Sequence, residues 1–298
     1  MRHICVCICT YKRRELLERL LTELAKQETD GLFTYSIVVA DNDRLKSAEP
    51  VVRAFSARQS SIPITYCVQP EQNIALTRNK AVENATGDFV AFIDDDEFPV
   101  RRWLISLLTV CQTYNADGVL GPVKPHFDEP PPAWVVSGAF YDRPPHPTGL
   151  VLGWRQSRTG NVLLKKQLFE GSTPPFNPEF LSGEDQDFFR RMIEQGRVFV
   201  WCAEAVAYEV VPPVRWTRSF MLRRAMMRGV FSARHRSTSV RAIGASVIAA
   251  PVYAAALPFA LLAGQSRFMA CSFKLSYHLG RLFAAFGINP IKGPYVTE

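Results

Sequence analysis

Residues 73–97 have the sequence NIALTRNKAVENATGDFVAFIDDDE, which is the strongest indication of the fold. The apolar run 89–93 has strand length and no polar alternation, which is typical of a strand buried on both faces of a parallel sheet. Residues 73–85 have the pattern of a helix that precedes this strand. The apolar run is followed by four consecutive carboxylates: Asp94, Asp95, Asp96 and Glu97. The stretch therefore predicts a helix, a buried strand and an acidic loop (94–97) at the carboxyl end of that strand.

Apolar runs of strand length alternate with helical patterns on both sides of this stretch. These strands are predicted at 4–9, 35–40, 62–68, 89–93 and 119–123. A leucine stripe predicts a helix after the first strand with Thr10 as its N-cap, and residues 99–114 predict another with Pro99 in its first turn. Residues 160–166 and 198–202 indicate two later strands. The alternation predicts an α/β fold whose mostly parallel sheet is flanked by helices.

Polar residues follow three of these strands at the point where each strand ends. Thr10 and Tyr11 lie at the end of the first strand, Asp41 follows the second, and the acidic loop follows the fourth. The ligand crevice of an open α/β sheet lies outside the carboxyl ends of its strands. We therefore expect these residues to converge on one binding site.

The acidic loop has the composition of a site for a divalent cation. Neighbouring carboxylates repel one another unless a cation is present, and Asp94 and Asp96 have the spacing to share a hard divalent ion with diphosphate oxygens. Two alternatives stay open: a solvated acidic turn, and an aspartyl-phosphate phosphatase with Asp94 as its nucleophile. The phosphatase alternative expects a small Thr or Val two residues after Asp96, where Phe98 stands.

Two further groups have chemistry that suits a phosphate-bearing sugar donor. Arg78 lies in the predicted helix 73–85, and a helix start beside an arginine can hold phosphate oxygens, although an ordinary surface charge explains Arg78 as well. In the motif GEDQDFF at 183–189, acids in the first helical turn complement the helix dipole. Asp185 could in addition accept the proton of an attacking hydroxyl near a sugar anomeric carbon.

The charge of the chain is distributed unevenly. The net charge is +7 over 298 residues, and the twelve Lys and Arg residues after Glu209 are accompanied by no acid before Glu298. Residues 242–264 in this tail are uncharged and long enough to span a bilayer, but they contain two prolines. A transmembrane helix, an interfacial or re-entrant segment and a buried helix stay open as alternatives. The tail predicts contact with an anionic membrane surface, and because it lacks a readable docking motif we expect no nucleic-acid partner.

The cysteine pattern indicates a reduced protein. The chain has seven cysteines, an odd number, without a CxxC pair, so neither a disulfide framework nor a structural zinc site is indicated. Cys5, Cys7 and Cys9 have the pattern of small apolar residues in a buried strand. Since the first strand begins almost at the N-terminus, we expect no signal peptide and a location on the cytoplasmic side.

Four motifs occur in the order typical of glycosyltransferase family 2. They are TYKRRE at 10–15, VVADND at 38–43, the stretch 73–97 and GEDQDFF at 183–189. On these motifs the chain resembles the inverting enzymes of that family, which have the GT-A fold. On further features it resembles a subgroup of succinoglycan-biosynthesis glucosyltransferases: VLGPV at 119–123, Trp134 with Ser137 and Gly138, TGNVLL at 159–164, and the arginine-rich tail. The familiar Gly-Ser after Asn42 is replaced by Asp43 and Arg44. The QxxRW motif of processive synthases is absent, so we expect one sugar to be transferred per encounter.

The resemblance implies roles for matching residues on the donor side. Thr10, Tyr11 and Asp41 would contact the base and ribose of a nucleotide. Arg78 would lie by the uracil or the diphosphate. The DxD motif would supply three carboxylates to the donor and its metal: Asp94, Asp95 and Asp96. Of these, Asp94 and Asp96 would be the ligands of Mg²⁺ or Mn²⁺.

On the catalytic side, the resemblance implies that Asp185 is the base and that Glu184 supports it. The expected reaction is transfer of a hexose, glucose from UDP-glucose, to a lipid-diphosphate-linked oligosaccharide in bacterial exopolysaccharide or related surface-glycan synthesis. The expected location is the cytoplasmic face of the inner (plasma) membrane, in peripheral or re-entrant association. A non-catalytic scaffold that binds nucleotide sugar or membrane stays open as an alternative.

The chain is expected to have three functional parts. Residues 1–123 would form the nucleotide-sugar-binding half of a GT-A domain, and residues 124–213 would form its acceptor-binding and catalytic half. Residues 214–298 would form a helical region that associates with a membrane.

Overall fold

The structure is a computed structural model that describes residues 1–171, 174–180, 183–234, 240–288 and 290. The strands, numbered in chain order, are β1 (Arg2–Thr10), β2 (Phe33–Asp41), β3 (Ile64–Val68), β4 (Phe89–Phe92), β5 (Glu97–Pro99), β6 (Gly118–Leu120), β7 (Val123–His126), β8 (Val162–Lys165), β9 (Phe199–Trp201) and β10 (Ala207–Val210). The helices are α1 (Arg14–Leu24), α2 (Glu49–Arg58), α3 (Ile74–Asn84), α4 (Trp103–Thr113), α5 (Ala133–Ser137), α6 (Glu184–Glu194), α7 (Arg218–Arg234), α8 (Val240–Leu262) and α9 (Gln265–Ala285).

The strands form a large sheet and a small one. Within the described residues the large sheet has seven strands in the order β3-β2-β1-β4-β8-β6-β9, and the small sheet has the order β5-β10-β7. The pairs β3–β2, β2–β1, β1–β4 and β6–β9 are parallel, whereas β8 runs antiparallel to both β4 and β6. The predicted α/β class with a mostly parallel sheet is therefore confirmed.

Strand β1 separates two apolar cores. Ile4, Val6 and Ile8 face a core shared with the leucine stripe of α1 and with α4, while Cys5 and Cys7 face a core shared with α3 and α6. All five side chains are fully buried, and each buried aliphatic side chain stabilises the fold by about 1.5–3 kcal/mol. The cysteines are free, as the sequence pattern predicts.

Three local predictions are wrong. Thr10 does not cap α1: it is the last residue of β1, and the helix begins after Arg13 without a side-chain cap. The predicted strand 119–123 is two strands in different sheets, because the chain turns at Gly121 and at Pro122, which has no N–H to donate to a ladder. Pro99 does not start a helix, since it ends β5 and pairs with Ala207.

The chain divides into two compact units, of which one holds both sheets. It consists of Met1–His126 and Arg143–Val210, and all predicted site residues belong to it. The second unit consists of Phe127–Asp142 and Val211–Glu298. The functional division at residues 123 and 213 stays a prediction.

In the second unit, α7 and α9 approach each other through two glycines. A Cβ atom on Gly229 would lie 2.0 Å from the carbonyl oxygen of Tyr277, and a Cβ on Gly280 would lie 2.0 Å from that of Met226. Helix α8 packs on α9. Its segment Ile243–Leu262 has a mean hydropathy of 1.9 and is long and apolar enough to cross a membrane. It is therefore a candidate for membrane association by length and composition.

Candidate active site

Hydrogen bonds through the acidic loop join the carboxyl ends of β1 and β4. The hydroxyl of Thr10 donates to Asp95 at 2.8 Å. Arg13 Nη1 donates to Asp95 at 2.8 Å and to Asp96 at 3.3 Å. Asp95 is buried, so these donors satisfy a carboxylate that water does not reach. Two of the three predicted polar clusters therefore meet at one edge of the sheet.

Asp94 is the accessible carboxylate of the DxD motif. Its side chain is 46% exposed, against 6% for Asp95 and 10% for Asp96. The crowding of protein atoms around the carboxylate of Asp94 raises its pKa, and Arg78 opposes this effect. The negative charges of Asp96 and Asp95 raise the pKa further, to about 6. Asp94 therefore experiences the negative charges of Asp95 and Asp96 beside the one positive charge of Arg78. Such a position favours a bound cation.

Arg78 connects the acidic loop to the start of α6. Helix α3 begins at Asn73, whose side chain accepts hydrogen bonds from two N–H groups of the first turn, so the helix predicted here is confirmed. From its second turn Arg78 forms an ion pair with Glu184, and its Nη2 lies 3.7 Å from Asp94 Oδ1. Burial alone would lower the pKa of Arg78, but the attraction of Glu184 and Asp94 raises it. Two motifs about ninety residues apart thus share one buried guanidinium group.

The first turn of α6 has one buried and one accessible carboxylate. Gly183 precedes the helix with a φ of 87°, a left-handed conformation that glycine adopts without strain. Glu184 is buried, and this burial raises its pKa against the opposing charge of Arg78. Asp185 is partly exposed, and its Oδ1 accepts a hydrogen bond of 2.8 Å from the N–H of Gln186. Asp185 therefore keeps an oxygen available for chemistry.

Asp41 is the last residue of β2 and binds the loop that follows this strand. Its carboxylate is fully buried and accepts hydrogen bonds from the N–H groups of Asp43 and Ala48 and from the hydroxyl of Tyr66. A carboxylate can accept about four hydrogen bonds, so one further donor could still bind. Tyr11 lies partly exposed just beyond β1. The predicted contacts of Asp41, Tyr11, Thr10 and Arg78 with a nucleotide stay predictions.

Four residues that the sequence did not point to lie around the acidic loop: Arg143, Arg158, Gly160 and Glu209. Glu97 and Glu209 are paired across β5 and β10, and Arg143 donates to Glu209 at 2.9 Å. Burial, with the charges of Asp94, Asp96 and Glu209, raises the pKa of Glu97 well above its usual range. Glu97 is visible in the sequence as the last of four consecutive acids. The four residues around the loop come from distant segments and carry no local signal.

The residues of the acidic loop fit a hard divalent ion that is shared with a substrate. In the part of the chain that the structure describes, no three His, Cys, Asp or Glu residues form a ready-made metal cage. Mg²⁺ sites commonly use one or two protein carboxylates and complete their coordination with water and substrate phosphates. Asp94 and Asp96, with a surplus of negative charge around them, match that kind of site.

These features are those of a GT-A glycosyltransferase: parallel strands that end in polar residues, a DxD loop and an acidic pair at the start of a helix. The chain belongs to glycosyltransferase family 2, whose family model matches residues 5–171. It is 35% identical over 232 residues to the succinoglycan biosynthesis protein ExoM of Rhizobium meliloti (strain 1021). The matched region covers 76% of this chain and 73% of ExoM. The resemblance found in the sequence is therefore confirmed.

Solved structures with low sequence identity share the fold. The mannosyltransferase PcManGT of Pyrobaculum calidifontis, in complex with GDP-Man and Mn²⁺, matches with a TM-score of 0.63 at 16% identity, over 95% of this chain and 87% of PcManGT. Residues 1–349 of S. aureus TarS, in complex with UDP-GlcNAc, match with a TM-score of 0.55 at 15% identity, over 98% of this chain and 93% of that structure. The GT-A-like fold is therefore confirmed.

Proposed function

We propose that the chain transfers a hexose, glucose from UDP-glucose, to a hydroxyl of a lipid-diphosphate-linked oligosaccharide in the synthesis of a bacterial exopolysaccharide or related surface glycan. The observation that carries this proposal is the position of Arg78, which holds Asp94 on one side and Glu184 on the other. A donor bound at the acidic loop would therefore lie near Asp185. The similarity to ExoM, named for succinoglycan biosynthesis, supports the choice of pathway.

Structural relatives support a nucleoside diphosphate sugar as the donor. TarS was solved with UDP and with UDP-GlcNAc, and PcManGT was solved with GDP-Man and Mn²⁺. A Mg²⁺ or Mn²⁺ ion held by Asp94 and Asp96 would neutralise charge on the departing diphosphate. Arg13 positions the loop by holding Asp95 and Asp96. The preference for uridine over other bases is part of the proposal.

The proposed chemistry is a single displacement. The acceptor oxygen forms a bond to the anomeric carbon on the side opposite to the diphosphate. The bond from that carbon to the diphosphate oxygen breaks, and its electron pair leaves with the nucleotide, so the configuration inverts. The hydroxyl proton passes to Asp185, a carboxylate held in position by the start of α6. Glu184 is bound to Arg78 and therefore acts by positioning.

The second unit supports work at a membrane, where the acceptor of this proposal is anchored. Helix α8 exposes large apolar side chains that no described residue covers: Val247, Ile248, Val252, Phe259, Leu261 and Leu262. The chain around it is basic and has no acid between Glu209 and Glu298. An apolar helix flanked by basic residues binds anionic lipid surfaces. We place the protein on the cytoplasmic face of the inner membrane, in peripheral or re-entrant association.

A donor and acceptor panel tests the proposal. The purified full chain is incubated with Mn²⁺, with UDP-glucose, UDP-galactose, UDP-GlcNAc or GDP-mannose, and with extracted lipid-linked oligosaccharides, and radiolabel transfer to lipid is measured. Transfer is expected from UDP-glucose with an inverted linkage. Transfer from GDP-mannose alone, or a product with retained configuration, would contradict the proposal.

A further inference from the structure

The segment that contains Arg158 runs past the acidic loop. Strand β8 lies antiparallel beside β4, and Val162 at its start pairs with Phe92 at the end of β4. The residues just before β8 are therefore level with the acidic loop. Gly160 shows how close they come, because a Cβ atom there would lie 3.0 Å from Asp94 Oδ2 and 3.0 Å from an oxygen of Glu97.

Arg158 differs from the other arginines of this site in its lack of an ionic partner. Arg13, Arg78 and Arg143 each form an ion pair with a site carboxylate. Arg158 is exposed, and it makes no hydrogen bond or ion pair with any residue that the structure describes. It nevertheless lies near enough to Arg143, Asp185 and Glu209 to interact with their charges. Its guanidinium group is therefore both available and adjacent to the proposed chemistry.

We propose that Arg158 binds the diphosphate of the nucleotide-sugar donor. This inference rests on the proposed function and extends it to a residue outside the DxD and acidic helix motifs. A guanidinium group presents paired N–H donors that match two phosphate oxygens. The diphosphate gains one negative charge when its bond to the anomeric carbon breaks, so the interaction with Arg158 strengthens as the reaction proceeds.

The neighbouring Arg155 is a matched control. It lies three residues before Arg158 and is also exposed, but it stacks on the ring of Trp154, with its guanidinium carbon 4.9 Å from the ring centroid. Replacing either arginine removes the same charge from the same segment. Only Arg158 is assigned to the diphosphate, so the two variants separate a specific contact from a general loss of positive charge.

Calorimetry with three probes tests the inference: UDP, UMP and inorganic pyrophosphate, each with Mn²⁺. The Arg158→Ala variant is expected to bind UDP and pyrophosphate about 10- to 100-fold more weakly than the parent, because one charge-assisted contact is lost. Its affinity for UMP should change less than about threefold, and Arg158→Lys should recover part of the loss. The Arg155→Ala variant should bind all three probes as the parent does.

The outcomes separate this inference from the proposed function. If the parent binds pyrophosphate but not UDP, the uridine donor is wrong and the Arg158 test proceeds with pyrophosphate. If the parent transfers no sugar while Arg158→Ala still loses pyrophosphate affinity, only the proposed function fails. The inference is overturned if the parent binds neither probe, if Arg158→Ala binds UDP and pyrophosphate like the parent, or if Arg155→Ala loses as much. The inference would also be overturned if Arg158→Ala had a higher KM for the lipid acceptor and an unchanged affinity for UDP.

Discussion

Replacing Arg78 with methionine is predicted to leave a buried negative charge without a partner. The side chain of Arg78 is 9% exposed and that of Glu184 is 5% exposed, so water reaches neither. Removing one partner of a buried ion pair costs about 3–5 kcal/mol, because the remaining charge has lost both its water and its counter-ion. We expect Arg78→Met to lower the free energy of unfolding by about that amount at neutral pH.

Urea unfolding of four proteins tests this magnitude: the parent, Arg78→Met, Glu184→Gln and the double variant. The double variant leaves no charge buried at this position, so it should recover most of the loss. A matched control is Arg190→Met, which removes a guanidinium group that is 46% exposed and whose partner Asp187 keeps a second ion pair with Arg191. Arg190→Met should lower the free energy of unfolding by about 1 kcal/mol or less.

The loss in Arg78→Met should also depend on pH. Burial raises the pKa of Glu184 and Arg78 lowers it, so removal of Arg78 raises this pKa further. A carboxyl group whose pKa is higher in the folded than in the unfolded state stabilises the fold at low pH, and this contribution is lost as the pH rises through the folded pKa. The deficit should therefore shrink from about pH 7 toward about pH 5. A deficit below about 1 kcal/mol at neutral pH, or one independent of pH, would show that Glu184 is not left buried and charged in Arg78→Met.

Three further predictions concern the acidic loop and α8. Gly160→Ala places a Cβ 3.0 Å from two carboxylate oxygens and should lower the transfer rate about tenfold. The control Gly153→Ala, whose Cβ has its nearest contact at 3.5 Å, should leave the rate within twofold. Equal rates in the two variants would contradict this prediction. Asp96→Ala should remove the Mn²⁺-dependent part of UDP affinity in calorimetry, and an unchanged affinity would reject its metal role. Phe259→Glu should weaken co-sedimentation with anionic vesicles about tenfold. Leu45→Glu changes a similarly exposed residue in the first unit and should not weaken it. Equal vesicle binding by the two variants would argue against α8 as the membrane contact.

Much of the fold is predictable from the sequence because its strands carry their own signal. β1, β2 and β4 are buried on both faces, so their apolar runs stand out, and β1 alternates Cys5 and Cys7 with Val6 as a two-sided strand should. The errors occur where tertiary pairing overrides the local pattern. Pro99 fits a helix start by propensity, but pairing with β10 places it in a strand.

The candidate site was predictable only in its motifs. The acidic loop and the acidic pair of α6 are visible as runs of carboxylates, but nothing in the sequence shows that Arg78 holds both. Glu209 and Arg158 reach the site by strand pairing across the fold, and each is an ordinary charged residue in its own segment. Contacts of this kind are set by the topology, so a single sequence carries no local trace of them.

In the function proposed here, the acidic loop and the start of α6 form one active site with Asp185 as its base. The most direct measurement is the transfer rate of Asp185→Asn beside its UDP affinity with Mn²⁺ in the same preparation. Because asparagine keeps the shape and cannot accept the proton, transfer should fall by about 10²- to 10⁴-fold while UDP affinity stays within about threefold. A transfer rate within a few-fold of the parent would show that Asp185 is not the base.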